Sequence, residues 1–319
     1  MRLRIILRRN YSTMYYIVFG LLYIFSLLPM WILYLLSDLT AFMLHSVFGY
    51  RKEVVLANLL QAFPEKTEEE RKKIAKKFYR NFVDNWAETL KLLSMSKRWM
   101  NKRVTGNFEI FHQLYATGRS VQANLGHFFN WELMTLHAGV NQPYTFLTVY
   151  LPQNNKIMNR LILYVRGRWG NPLLPSTEMA RAIIPWRKKQ YLIALGADQR
   201  PELPGNTYWL NFLNNPAPFV KGPEKFARGQ NIPVVMMTTT RIKRGHYHFD
   251  YFLLADDLKS LPDGELIRRY VRHLEENIRL QPDLYLWSHK RWKHPWKPEY
   301  EKMWVDEVAS PTAKASLTE

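Results

Sequence analysis

Cysteine is absent from the 319 residues. That excludes disulfides, cysteine-ligated zinc, iron–sulfur clusters and any thiolate nucleophile. It also leaves the redox compartment unread. Glycine is scarce, with 14 residues scattered along the chain. Neither a Walker A loop nor a dinucleotide glycine fingerprint occurs, and no cofactor is implied. Internal repeats are missing too. His246 and His248 alternate onto one strand face but lack a third ligand nearby, so no metal site is expected. Negative charge is in deficit: Lys plus Arg is 45 against 27 Asp plus Glu, a net charge of +18. Such a chain seeks anionic partners, whether nucleic acid, acidic protein or anionic lipid.

What is present is the composition of a folded chain, 47% hydrophobic and 23% charged, which excludes wholesale disorder. Trp and Tyr number 11 and 18, residues that favour membrane interfaces. The N-terminus carries Arg2, Arg4, Arg8 and Arg9. The stretch from Tyr11 to Ser37 then holds no charge. It exceeds the roughly 20 residues needed to span a bilayer. It is also too long, and too rich in Tyr, Trp and Leu, for a cleaved signal peptide, whose apolar part is about 7–15 residues. A buried core helix is the remaining rival. Asp38 interrupts, and apolar character resumes to Phe48. The arginines favour a cytoplasmic N-terminus. A single crossing would place the rest outside; a hairpin at Pro29, or an interfacial helix, keeps everything inside.

The chain divides into four regions: a basic stretch and membrane segment over 1–48, a helical region over 49–103, an α/β core over 104–305 and a disordered tail over 306–319. In the helical region VVLANLLQAF has helical spacing, and Pro64 ends it. Thr67 and Glu70 form a capping box for the next helix. Its stripe of Ile74, Phe78, Phe82 and Trp86 reads as a core face. Beyond Val104 strands alternate with helices. SVQANL (120–125), PYTFLTVY (143–150), YLIALGA (191–197), IPVVMMTTTRI (232–242), YHFDYFLLA (247–255) and DLYLWS (283–288) are the strands. WELMTLHA, IMNRLILYVRGRW and GELIRRYVRHLEENIRLQ are helices. The pattern predicts an α/β fold with a mostly parallel sheet flanked by helices.

Ligands of open α/β sheets bind outside the carboxyl ends of strands. There the sequence places Gly126 and His127, then Leu151, Pro152 and Gln153, then Asp198, Gln199 and Arg200, and finally His289, Lys290 and Arg291. A histidine and an aspartate at two strand ends can converge into an imidazole oriented by a carboxylate. His127 and Glu132 lie about 140° apart on helical geometry and do not share a helix face. Their spacing suits a histidine in a strand-to-helix turn and a glutamate one turn into the helix.

SVQANLGHFFNWELM resembles the signature of the lysophospholipid acyltransferase-like superfamily, and most closely the late acyltransferases of lipid A biosynthesis. VLANLLQAFPEKTEEERKKIAKKFYRNF, VYLPQNNKIMNRLILYVRGRWGN, ALGADQRP and QPDLYLWSHKRWKHPW are similar to further segments of that family, in order, over about residues 12–298. The resemblance implies transfer of a fatty acyl group from acyl-carrier protein or coenzyme A to a hydroxyl of a glycolipid acceptor. It also implies residence at the bacterial inner membrane, with the catalytic domain facing the cytoplasm. His127 would be the general base, with no covalent intermediate. Asp198 or Glu132 would orient it; Asp198 is preferred, with Glu132 pairing to Arg166. Arg168, Asn130 and Tyr150 are the substrate-binding candidates, and Arg166 or Arg168 could meet thioester or phosphate oxygen. One departure is Leu151, where the family carries a basic residue; Lys156 or Arg160 could take over that contact. HKRWKHPW (289–296) reads as a basic, aromatic rim on anionic lipid rather than a nucleic-acid surface. Two alternatives remain: the same chemistry on a phosphatidylinositol mannoside, aminolipid or glycerophospholipid, and a non-catalytic basic membrane-anchored binding protein.

Overall fold

The computed structural model describes residues 2–316, with side chains from Thr13 to Ala315. The side chains of Arg2, Arg4, Arg8 and Arg9 and the last residues of the tail lie outside the described residues. The uncharged run does not form one helix. A residue before proline is biased away from helical backbone, and Leu28 precedes Pro29. The chain therefore breaks into α1 (Arg2–Leu27) and α2 (Met30–Phe42). Among the described residues one helical stretch, Met30–Val47, is long and apolar enough to cross a membrane. A π-turn over Met43–Val47 leads to α3 (Lys52–Ala62) and α4 (Glu68–Lys91). Thr67 and Glu70 form the expected reciprocal cap on α4. Phe78 is fully buried and Phe82 packs beside it, but Trp86, the last of the stripe, emerges to 48% exposure.

The core begins with α5 (Lys97–Asn101), β1 (Val104–Gly106) and α6 (Glu109–Ala116). Then come β2 (Val121–Leu125), α7 (Trp131–Asn141), β3 (Thr145–Tyr150), α8 (Lys156–Gly167) and β4 (Leu173–Pro175). The short α9 (Met179–Ala182) precedes β5 (Tyr191–Gly196). A hairpin of β6 (Thr207–Phe212) and β7 (Asn215–Val220) comes next. Leu213 and Asn214 both take positive φ at its tip, as a two-residue mirror-image turn requires. The chain ends with α10 (Gly222–Gln230), β8 (Val234–Lys243), β9 (His246–Ala255), α11 (Glu265–Leu280) and α12 (Pro311–Ser316).

Seven strands make one sheet in the order β1-β9-β8-β2-β5-β3-β4, while β6 and β7 pair apart. From β8 to β4 the neighbours run parallel. β9 runs antiparallel to β8, and β1 runs parallel to β9, so these two edge-side strands oppose the other five. The fold is thus the expected mostly parallel α/β sheet flanked by helices. β2 is buried at every residue, as a central strand covered on both faces must be.

Two expectations are corrected. DLYLWS is not a strand: Pro282–Leu284 forms a 3-10 turn, and a lone bridge joins Tyr285 to Phe128. Local backbone turns and side chains, rather than a neighbouring strand's ladder, take most carbonyls of this segment. Asn58 donates to those of Trp287 and His289, and Arg51 to that of Ser288. The tail is also ordered beyond residue 306. Ser310 is buried and donates to Glu301, and Trp296 Nε1 donates to Thr312 at 3.0 Å.

Candidate active site

β2 and β5 are parallel neighbours, and Leu125 is in register with Gly196. His127 and Asp198 each lie two residues further on, so pairing alone delivers both side chains to one edge of the sheet. Asp198 is 1% exposed and spends both oxygens on His127. Oδ1 meets the ring Nδ1 at 2.5 Å, and Oδ2 accepts the His127 backbone N–H at 2.8 Å. Burial works against the imidazolium, but the Asp198 charge and hydrogen bond outweigh it and hold His127 above the ordinary histidine value. Burial likewise works against the Asp198 carboxylate, and the pairing with His127 wins, holding it below the usual aspartate value. Gly196 makes room for the ring: a Cβ there would stand 2.8 Å from His127 Cε1.

Glu132 sits in the first turn of α7. Arg166, near the end of α8, grips it through Nε at 2.9 Å and Nη2 at 2.6 Å, a bidentate fork suited to a carboxylate. Glu132 therefore orients Arg166, not the imidazole. The Trp131 ring meets His127 edge-on at 5.7 Å, and its Nε1 donates to Glu132 at 3.1 Å.

His127 and Arg166 open onto a cavity of about 870 Å³ walled by Leu125, Trp131, Ile183, Ala194 and Phe226 among others. That is the size and apolar character of a small-molecule site. Tyr150 and Leu151 line it as well, and Leu151 is 64% exposed. The outer side of α8 packs on α1. The Arg160 guanidinium lies 3.9 Å over the Tyr15 ring, and Tyr164 meets Phe19 edge-on at 4.9 Å. The apolar N-terminal helix is therefore in contact with one wall of the cavity.

Two expected substrate contacts serve the scaffold instead. Asn130 is fully buried as the N-cap of α7, its Oδ1 accepting from Glu132 N and Leu133 N at 3.1 Å. Arg168 caps the end of α8, and its Nη1 donates to the carbonyls of Leu92 and Met95. HKRWKHPW is no exposed aromatic rim either. Trp292 stacks on Phe212, Trp296 packs edge-on against Trp209, and Arg291 is 2% exposed, 4.2 Å from the Phe219 ring. Burial pushes Arg291 down to about 10 and His289 down to about 4. Neutral His289 accepts the Arg200 backbone N–H at 3.1 Å, tying down the turn that bears Asp198.

Comparisons with known proteins give the family. The family model described as bacterial lipid A biosynthesis acyltransferase matches residues 5–294. The lipid A biosynthesis palmitoleoyltransferase of Escherichia coli (strain K12) is 24% identical over 282 residues, covering 86% of this chain and 89% of the relative. The lipid A biosynthesis acyltransferase of Shigella flexneri matches to the same extent. The lipid A biosynthesis lauroyltransferase of E. coli (strain K12) is 24% identical over 251 residues, 76% of this chain and 79% of the relative. The chain belongs to the bacterial lipid A biosynthesis acyltransferase family, and so to the acyl-transferring enzymes.

Proposed function

We propose that this chain moves a fatty acyl group from an acyl thioester, of acyl-carrier protein or coenzyme A, to a hydroxyl of a lipid A-type glycolipid precursor. The observation that carries the reading is the Asp198-held imidazole on the wall of an apolar cavity. With Nδ1–H donated to Asp198, Nε2 is the basic nitrogen. It takes the hydroxyl proton as the oxygen attacks the thioester carbonyl. The C–O bond forms, the C–S bond breaks, and the imidazolium returns the proton to the departing sulfur. Arg166 uses Nε and Nη2 on Glu132, and Nη1 is offered to the developing oxyanion. Tyr150 and the apolar walls hold the chains.

The protein sits on the cytoplasmic side of the bacterial inner membrane. Trp31, Leu35, Leu36, Leu39 and Phe42 of α2 are exposed, while its other face is bound to α4 through Ser37–Asp84 and Tyr34–Glu88. A helix held along one side by a polar domain offers lipid a single face and lies in the interface. The +18 charge draws the domain to acidic lipid and acidic carrier.

The test is acyl transfer from dodecanoyl thioesters to a phosphorylated glucosamine disaccharide bearing 3-hydroxyacyl chains. Phosphatidylinositol mannoside, aminolipid and glycerophospholipid serve as rival acceptors. His127→Ala is expected to lose about 10³-fold in kcat while the fold and membrane attachment persist. Faster transfer to a rival acceptor replaces the acceptor, and a fully functional His127→Ala protein means a binding protein without catalysis.

A further inference from the structure

Glu88 lies on the inward face of α4 and is 1% exposed. Its Oε1 accepts from the Tyr34 hydroxyl of α2 at 2.9 Å. Its Oε2 accepts from the Tyr247 hydroxyl of β9 at 2.9 Å and from Asn130 Nδ2 at 3.0 Å. Four parts of the chain thus meet at one carboxyl group, and the transfer chemistry above does not use it.

The Asn130 amide explains why an acceptor is needed there. Its Oδ1 must face the N–H groups of Glu132 and Leu133 to cap α7. The two ends of an amide have nearly the same shape, and a flipped amide would turn donors toward donors. An acceptor behind Nδ2 forbids the flip. The other end of the arrangement is Tyr34, on the inward face of a helix whose outward face carries exposed Trp31 and Leu35. One turn before Glu88 on α4, Asp84 accepts from Ser37 of α2 at 2.7 Å, so α2 is seated on α4 at two successive turns.

We propose that Glu88 is a positioning residue: it locks Asn130, and through it the turn from His127 to Glu132, to the seat of the lipid-facing helix α2. Seating of α2 and alignment of the catalytic turn are then one event. Burial, aided by Asp84, holds the Glu88 carboxyl above the ordinary glutamate range against the pull of its three donors. A neutral isostere that keeps an acceptor oxygen therefore substitutes well.

This inference rests on the acyl-transfer reading, and the test separates the two. Full-length variants in detergent micelles are assayed with dodecanoyl coenzyme A and the hydroxyacylated, phosphorylated glucosamine disaccharide. Glu88→Ala is expected to lower kcat about 30-fold, with KM for the thioester within about twofold, as for a displacement remote from the reacting atoms. Glu88→Gln is expected to recover to within about fivefold of wild type, since it keeps the acceptor facing Asn130. Asn130→Ala should match Glu88→Ala, and the double variant should be no slower than the worse single, the signature of residues acting as a unit. A folded Glu88→Ala protein within about threefold of wild type, or single effects that multiply, overturns the proposal. Should Glu88→Ala fail to fold, Tyr34→Phe removes one hydroxyl only; about a threefold fall in kcat at constant KM supports the proposal, and an unchanged kcat overturns it. An inactive wild type would sink the acyl-transfer reading instead; an inactive His127→Ala beside unaffected Glu88 variants sinks only this inference.

Discussion

Asp198 and Asp84 are each 1% exposed and each paired with nitrogen donors, an imidazole for one and guanidinium groups for the other, yet the two regions they anchor differ in kind. Asp198 stands at the strand ends and holds an imidazole that is 24% exposed toward the cavity. Asp84, on α4, faces α2 and the β8–β9 hairpin. Arg244 reaches it through Nη2 at 2.5 Å and Nε at 2.9 Å, Arg241 through Nη2 at 3.2 Å, and Arg244 also clasps Asp38 of α2. The partner decides what a buried carboxylate does. Arginine stays charged at any working pH, so the Asp84 cluster is a fixed clamp. Histidine gains and loses a proton near neutrality, so the Asp198 pair can do chemistry once one ring nitrogen reaches a cavity.

The largest expected effect tests the chemical half of that contrast. Asp198→Asn leaves the shape intact but removes the charge that orients and supports His127; kcat is expected to fall about 10³-fold or more, as for other carboxylate-to-amide changes behind a catalytic histidine. Thermal unfolding of the same variant shows whether the fold survives. Next, Asp84→Ala takes the buried carboxylate away from Arg241 and Arg244, leaving them Asn81 and Asp38, and should cost about 3 kcal/mol of stability, read by denaturant titration. Its kcat per folded molecule should fall far less than that of Asp198→Asn. Equal losses in both variants would erase the distinction. The smallest effect is steric. Gly196→Ala places a methyl group 2.8 Å from His127 Cε1, and the displaced ring should lose about tenfold in kcat. Gly205→Ala, with nothing within 4 Å, serves as the silent control.

Much of the chemical half was legible in the sequence. Short apolar runs located β2, β3, β5, β8 and β9. The residues just past each run then placed His127 and Asp198 together, because parallel neighbours end at one edge of a sheet. Asn130 carried a readable signal too. An asparagine just before a helical run is a preferred N-cap, and that signal outweighs a substrate role. Arg168 gave none, since its carbonyl partners on Leu92 and Met95 lie more than seventy positions away in the chain. DLYLWS has the composition of a strand, but its carbonyls are claimed by Arg51 and Asn58 of α3 and its N-terminal flank, which no local pattern reveals. The mechanical half was silent for a related reason. Asn81, Asp84, Asn85 and Glu88 look like the wet side of an amphipathic helix, yet all four are buried, because α2 and the hairpin cover that side and meet Asn81, Asp84 and Glu88 with matching polar groups.

The pH dependence of kcat/KM, measured on wild type and Asp198→Asn, tests the central claim most directly. His127 accepts a proton only when neutral, and Asp198 holds its pKa above the ordinary value of 6.5. Wild-type activity should therefore rise with pH along a limb lying above 6.5. Without the carboxylate, burial and the Arg166 charge depress the ring against the lesser pull of Glu132, so in Asp198→Asn the limb should move to lower pH while the plateau rate collapses. A limb at the same pH in both proteins, with the plateau preserved, would contradict the assignment of His127 as an Asp198-oriented base.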